Sequence, residues 1–236
     1  KALSSGGCVV VGYSYSDDGD FVSNNETGSN GYIARLDNNG NVLWFKMYGG
    51  TNFDYLYDII ETSDGYLMAC GEAYSDDLDL QNYGADNNWL LKINPANGNI
   101  VFSKTLPGPD SASKDKFENL FRLNEISPGK IILTGYTTSD FLNFALDRIS
   151  VFSVDLNGNL QWSTKIGATG AGDYGVGVVA GDNGNFYVLG KLNTKVGGAE
   201  QASDYYGGNG DFWLVKMNGQ GTILWEKNYG GSDADI

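Results

Sequence analysis

The chain has 236 residues and a formal net charge of −14, from 29 Asp and Glu against 15 Lys and Arg, with no His. That charge excludes nucleic acid as a partner, because phosphate binding needs clustered Lys and Arg, and it opposes docking on an anionic membrane. The lack of His removes the commonest general base, the usual zinc ligand and any Ser-His or Cys-His dyad.

Glycine is frequent at 34 and proline scarce at 4, while Tyr, Phe and Trp make up 13%. Aromatic and β-branched segments separated by Gly, Asn and Asp predict an all-β protein. No apolar run approaches the roughly 20 residues of a membrane helix, so direct membrane insertion is not expected. No leader-like stretch opens the chain, which reads as intracellular or already trimmed. Cys8 and Cys70 sit in the apolar runs CVVVG and LMACG and are expected to be buried thiols.

The first predicted strand is GGCVVVGYSYS, from Gly6. It runs into GYSYSDDGDF, Gly12 to Phe21, where Asp17, Asp18 and Asp20 crowd around Gly19. YIARLDNNGNVLWFKMYGG, Tyr32 to Gly50, reads as two strands about an Asn-Gly hairpin. YLYDIIET follows from Tyr55, then DGYLMACGEAYS from Asp64, which leads into Asp76, Asp77, Leu78 and Asp79. WLLKINPANGNIVFSKTLPG from Trp89 repeats the two-strand hairpin. KFENLFRLNE, Lys116 to Glu125, looks helical by itself, but the repeat register sets Leu123 on Ile59 and Val178, so a strand is expected. PGKIILTGYTTS from Pro128, SVFSVDLNGNLQWSTKIG from Ser150, NGNFYVLGKLNT from Asn183 and WLVKMNGQGTILWEKNYGG from Trp213 complete the series.

Two motifs therefore alternate. The aromatics Trp44, Phe102, Trp162 and Trp225 anchor one, at spacings of 58, 60 and 63. Gly12, Gly71, Gly135 and Gly190 anchor the other, at spacings of 59, 64 and 55. A unit of about 59 residues with four short strands, repeated four times, predicts a β-propeller with one unit per blade. The units fall near 1–54, 55–118, 119–173 and 174–236. By this register Lys1 lies on Ile60 and Ile236 on Tyr55, so the chain starts and stops within one strand. Either the four blades close on themselves or they form a portion of a larger propeller; the second is the expectation.

The composite GYSYSDDGDF…GYIARLDNNGNVLWFKMYGGTNFDYLYDIIETSDGYLMACG resembles the propeller-type repeats of secreted and cell-surface proteins in Bacteroidetes-like bacteria. The match spans nearly the whole chain and is poorer from Ser103 to Ala202. The resemblance implies a bacterial, extracytoplasmic export cargo. More loosely, LDNNGNVLW is similar to the pyrroloquinoline-quinone propeller repeat, whose members include quinoprotein dehydrogenases and non-catalytic scaffolds. Those dehydrogenases carry adjacent Cys, which Cys8 and Cys70 are not.

Three sets of residues are candidates for chemistry. Asp17, Asp18 and Asp20 recur as Asp76, Asp77 and Asp79, and Asp140 and Asn143 keep two positions in the third unit, where the fourth has Thr194 and Lys195. Closely spaced carboxylates can ligate calcium, the candidate cofactor here; the alternative is a solvated loop in which Asp and Ser cap backbone N–H groups. Asp54, Glu118, Asp173 and Asp235 open the first strand of each unit, as a cation ring or as a repeated turn contact. The anchor aromatics, with Tyr32, Trp89 and Trp213, read as core between blades, whereas Tyr83, Tyr205 and Tyr206 stand in long connections where they could stack on sugars. No acid/base pair is singled out. The expected function is a non-enzymatic binding or scaffold module for a protein partner or a surface glycan; the alternative is a propeller enzyme, a quinoprotein-like oxidoreductase or a glycan hydrolase.

Overall fold

A computed structural model of the chain describes residues 1–22, 28–77, 79, 88–107, 118–137, 148–167, 173–192 and 210–233. They form an all-β, propeller-like series of four antiparallel sheets. The first sheet has β1 (Cys8–Ser14), β2 (Asn30–Leu36) and β3 (Val42–Tyr48). The second has β4 (Asp54–Glu61), β5 (Leu67–Ala73), β6 (Asn88–Ile93) and β7 (Ile100–Thr105). The third has β8 (Glu118–Ser127), β9 (Lys130–Thr137), β10 (Arg148–Val154) and β11 (Leu160–Ile166). The fourth has β12 (Tyr174–Ala180), β13 (Phe186–Leu192), β14 (Asp211–Met217) and β15 (Ile223–Tyr229). Strand order follows chain order throughout.

The helical look of 116–125 yields to the sheet. Leu123 pairs with Leu133 as Ile59 pairs with Ala69 and Val178 with Val188. Burying both faces of β8 between neighbouring sheets outweighs a local propensity of a few tenths of a kcal/mol per residue, roughly the helix scale. The first sheet shows three strands where four were expected. Its innermost place is held by the start of the chain: Ala2 bridges Cys8 as Glu61 pairs with Leu67, and Lys1 exchanges hydrogen bonds with Val9.

Each hairpin between the last two strands of a sheet closes on an Asx side chain. Asp37 Oδ1 accepts from the N–H groups of Asn39 and Asn41 at 2.8 and 2.9 Å, and Asp155 Oδ1 accepts from Asn157 and Asn159 at the same distances. Asn218 Oδ1 accepts from Gln220 and Thr222. This Asx-turn chemistry is what Asn and Asp bring to tight turns.

The sheets pack face to face in sequence. Val9, Ile33 and Tyr48 of the first meet Leu67, Ala69, Trp89 and Leu91 of the second. Met68, Cys70 and Leu90 meet Leu123, Leu133 and Phe152 of the third. Ile132, Val151 and Ile166 meet Phe186, Val188, Trp213 and Val215 of the fourth. A polar seam accompanies every interface. The hairpin of one sheet offers a carbonyl to donors of the sheet before it: Trp44 Nε1 to Pro95 at 2.9 Å, Lys92 Nζ to Leu156 at 2.7 Å, and Trp162 Nε1 to Gly219 at 3.2 Å. Where Phe102 replaces Trp and has no N–H, a lysine supplies the donor. The last of the four anchor aromatics, Trp225, is 38% exposed and tilts against Tyr187.

Candidate functional site

The strand-opening carboxylate explains itself as architecture. Asp54 is fully buried. Its two oxygens accept from Gly50 N–H at 2.8 Å, Tyr74 N–H at 3.0 Å, Ser75 N–H at 3.2 Å and Ser75 Oγ at 2.6 Å. It thereby ties the start of β4 to the end of β5 and to the loop after β3. A Cβ on Gly49 would lie 2.7 Å from Asp54 Oδ2, and one on Gly167 would lie 2.7 Å from Asp173 Oδ2, so the third-to-fourth junction repeats the close approach. Glu118 begins β8, with its side chain outside the described residues, as is all of Asp235.

The acidic loops divide. Asp17, Asp18 and Asp20 are exposed, and Asp18 supplies a carbonyl to Phe21 N–H in a short 3-10 turn at Gly19–Phe21. Asp76 is exposed too. Asp77 is half-buried and accepts from Thr51 N–H and Thr51 Oγ1, both at 2.9 Å. Asp79 accepts from Gly49 N–H at 3.5 Å; burial raises its carboxyl, and it adds to the effect of burial in raising Tyr48. No three acidic side chains converge as metal ligands among the described residues. Leu78, Asp140, Asn143, Thr194, Lys195, Tyr83, Tyr205 and Tyr206 lie outside those residues.

A different constellation stands out in the structure. Tyr13, Tyr15, Phe53, Tyr55, Tyr57 and Tyr74 line an open groove of about 370 Å³, joined by Glu72 and Asn119. Four strands contribute. Tyr13 lies near the end of β1, Tyr55 and Tyr57 lie in β4, Glu72 lies in β5, and Asn119 lies in β8. A β-bulge puts Tyr57 there: β4 pairs Leu56 with Gly71 and then Asp58 with Cys70, leaving Tyr57 as the extra residue. Bulges commonly re-aim side chains beside sites. β8 repeats the bulge at Phe121, whose ring is 5.3 Å from that of Tyr57.

The rings form a connected wall. Tyr13 meets Tyr55 edge-on at 4.8 Å, Tyr55 and Tyr57 run nearly parallel at 6.3 Å, and Tyr15 packs near Phe53 and Tyr55. Edge-to-face pairs at such spacings each add about 1 kcal/mol beyond area burial. Tyr15 is 62% exposed at the rim and its hydroxyl shares a 3.0 Å hydrogen bond with that of Tyr55.

Glu72 is only 6% exposed. Tyr57 donates a short hydrogen bond to it, and Tyr74 Oη donates at 3.3 Å. Burial raises the Glu72 carboxyl, and the two tyrosine hydrogen bonds hold it back only in part. Burial also pushes Tyr55 up to about 12 and raises Tyr57 and Tyr74, with the Tyr15 hydrogen bond adding to Tyr55 and Glu72 to the other two. At neutral pH the tyrosines are therefore neutral donors. Asn119 donates its amide N–H to Tyr136 Oη at 2.7 Å, while its buried carbonyl oxygen has no hydrogen-bond partner.

Sequence reasoning missed this site, yet a signal was present. The residue after each anchor glycine reads Tyr13, Glu72, Tyr136 and Lys191. Glu72 alone puts a carboxylate there, and a departure from symmetry inside a regular repeat is where a specific site belongs.

Fold and groove together define a class: a repetitive all-β chain of face-packed antiparallel sheets carrying an aromatic, carboxylate-floored groove. No protein-family description matches the chain, and no curated protein does. Among solved structures, BamB from Moraxella catarrhalis matches at 12% identity over 89% of this chain and 79% of that chain, with a TM-score of 0.24. A likeness of that size carries no argument, and the fold rests on the sheets themselves.

Proposed function

We propose that the four sheets are blades of a β-propeller that works outside the cytoplasm as a non-enzymatic binding module, engaging a protein partner through the tyrosine groove. The observation that carries this reading is the groove itself. It gathers five tyrosines and a phenylalanine from two adjacent sheets around the one carboxylate that follows an anchor glycine. Tyrosine is enriched at protein interfaces because its ring gives large contact area with little rotamer entropy to lose. Secretion is supported by the repeat resemblance, and the acidic surface suits solubility.

A protein is favoured over a glycan because most of the groove's recorded hydrogen bonds run between its own residues. Tyr57 and Tyr74 serve Glu72, Tyr15 and Tyr55 serve each other, and Asn119 serves Tyr136. Sugar hydroxyls need donors as well as acceptors. Calcium is not part of this reading, since Asp77 and Asp79 are engaged in holding the loop after β3.

The test offers the immobilised chain to cell-surface proteins and to a glycan array, beside a Tyr13→Ala/Tyr15→Ala variant that retains its melting temperature. Protein capture by the parent that falls at least tenfold in the variant is the expected result. Capture unchanged by the variant, glycan binding alone, a quinone absorption band, or hydrolase or dehydrogenase turnover would overturn it.

A further inference from the structure

We propose that the groove receives a cationic side chain of the partner, a Lys ammonium or Arg guanidinium, held between the tyrosine faces with Glu72 as its counter-charge. This rests on the groove being the protein-binding surface, and it names the chemistry that surface selects.

Three observations converge. First, Glu72 is buried with no counter-ion among the described residues. Among the described residues its only partners are two neutral hydroxyls, and no Lys or Arg pairs with it. Fully buried carboxylates are rare unless paired, because desolvation disfavours the charge. A guest cation supplies what the fold omits. Second, the floor of the groove is acceptor-rich, while the tyrosine hydroxyls at its rim can donate. The groove presents the Glu72 carboxylate as an acceptor, and Asn119, whose buried carbonyl oxygen has no hydrogen-bond partner, is among its lining residues. A complementary guest brings donors and needs no acceptor. Lys and Arg side chains fit that description, since both carry donors only. Third, the walls are ring faces and edges. Tyr13, Tyr15 and Phe53 are among the exposed large hydrophobics, and Tyr55, Tyr57 and Tyr74 are half-buried beneath them. Aromatic faces attract cations through their quadrupole, more strongly where water is excluded. The chain already makes this contact elsewhere: Lys92 Nζ sits 4.9 Å from the Tyr66 ring centroid and Lys216 Nζ 5.3 Å from that of Tyr187.

An apolar guest would leave the carboxylate and the amide oxygen unmet, and an anionic guest would face Glu72 directly. The net charge of −14 adds long-range attraction for a basic partner, screened by salt.

The probes are Nα-acetyl-arginine amide and Nα-acetyl-lysine amide, with Nα-acetyl-norleucine amide as the uncharged counterpart. Each is titrated into the full chain while the NMR resonances of the groove are followed. The two cationic amides are expected to saturate groove shifts at concentrations at least tenfold below the norleucine amide. Glu72→Gln, nearly isosteric, should weaken them about tenfold, and Tyr13→Leu should weaken them several-fold while Tyr13→Phe retains binding. The Leu/Phe contrast reads ring character, so it holds even if the Gln variant folds poorly. Equal binding of the norleucine amide, or cation binding indifferent to both Glu72→Gln and Tyr13→Leu, would overturn the proposal. Groove-dependent protein capture without cation binding would sink this inference alone; loss of both would sink the binding reading too.

Discussion

Glu72 shows how one side chain can be costly to the fold and useful to the site. Its folded-state carboxyl is raised above the ordinary glutamate value by burial, so the folded chain holds that proton more tightly than the unfolded chain does. The cost of the charge is then present in full above the raised value and disappears below the ordinary one. The titratable groups facing it are Tyr57 from β4, Tyr74 beyond β5 and Tyr55, whose hydroxyls are all raised and so neutral across that window. Glu72→Gln should therefore raise the melting temperature at pH 7 and leave it unchanged near pH 4, measured by thermal melts across pH. The residue was visible in the sequence as the one carboxylate in a series with Tyr13, Tyr136 and Lys191. Its burial and partners were not, because Tyr57 reaches it only through a bulge that no periodicity reveals. The acidic runs attracted notice for their density, yet Asp77 and Asp79 serve the loop after β3.

At the scale of elements, the hairpin between the last two strands of the second, third and fourth sheets does two jobs. It turns the chain, and it forms the seat for an aromatic of the preceding sheet. Gly158 has φ of +70°, and a Cβ there would stand 2.8 Å from the Phe102 ring. Gly40 holds the same hairpin place in the first sheet with φ of +83°, and a Cβ there would meet nothing within 4 Å. Gly40→Ala should then cost about 1 kcal/mol, the penalty of a left-handed backbone alone. Gly158→Ala should cost about 1–3 kcal/mol more, the range for overpacking. Denaturant unfolding of the two variants side by side measures the difference. The hairpins and strands were legible from the Asn-Gly pairs and the recurring aromatics. That the aromatic of one unit rests on the turn of the next was not, since the two lie some 50 residues apart, as Trp44 and Pro95 do.

Over the whole molecule, the repeat register carried strand order through a segment that looked helical, because an error at 116–125 would have broken pairing in the third sheet. The groove was less accessible, as it draws on three sheets at once. The order of packing itself has a consequence for how the chain comes apart. Among the described residues each sheet buries its faces against its neighbours in sequence, through three separate cores. Stability in such a stack is a chain of nearest-neighbour terms, and cooperativity weakens from the middle outward. The second and third sheets are clasped on both faces, while the outer faces of the first and fourth carry exposed apolar residues such as Val10 and Trp225. Amide exchange should accordingly be slowest in β5, β6, β9 and β10 and fastest in β3 and β15, and uniform protection across all four sheets would contradict it. The aromatic wall of the groove comes from the first two sheets, so a guest bound there stitches a terminal sheet to the protected interior and makes loosening of that end depend on occupancy.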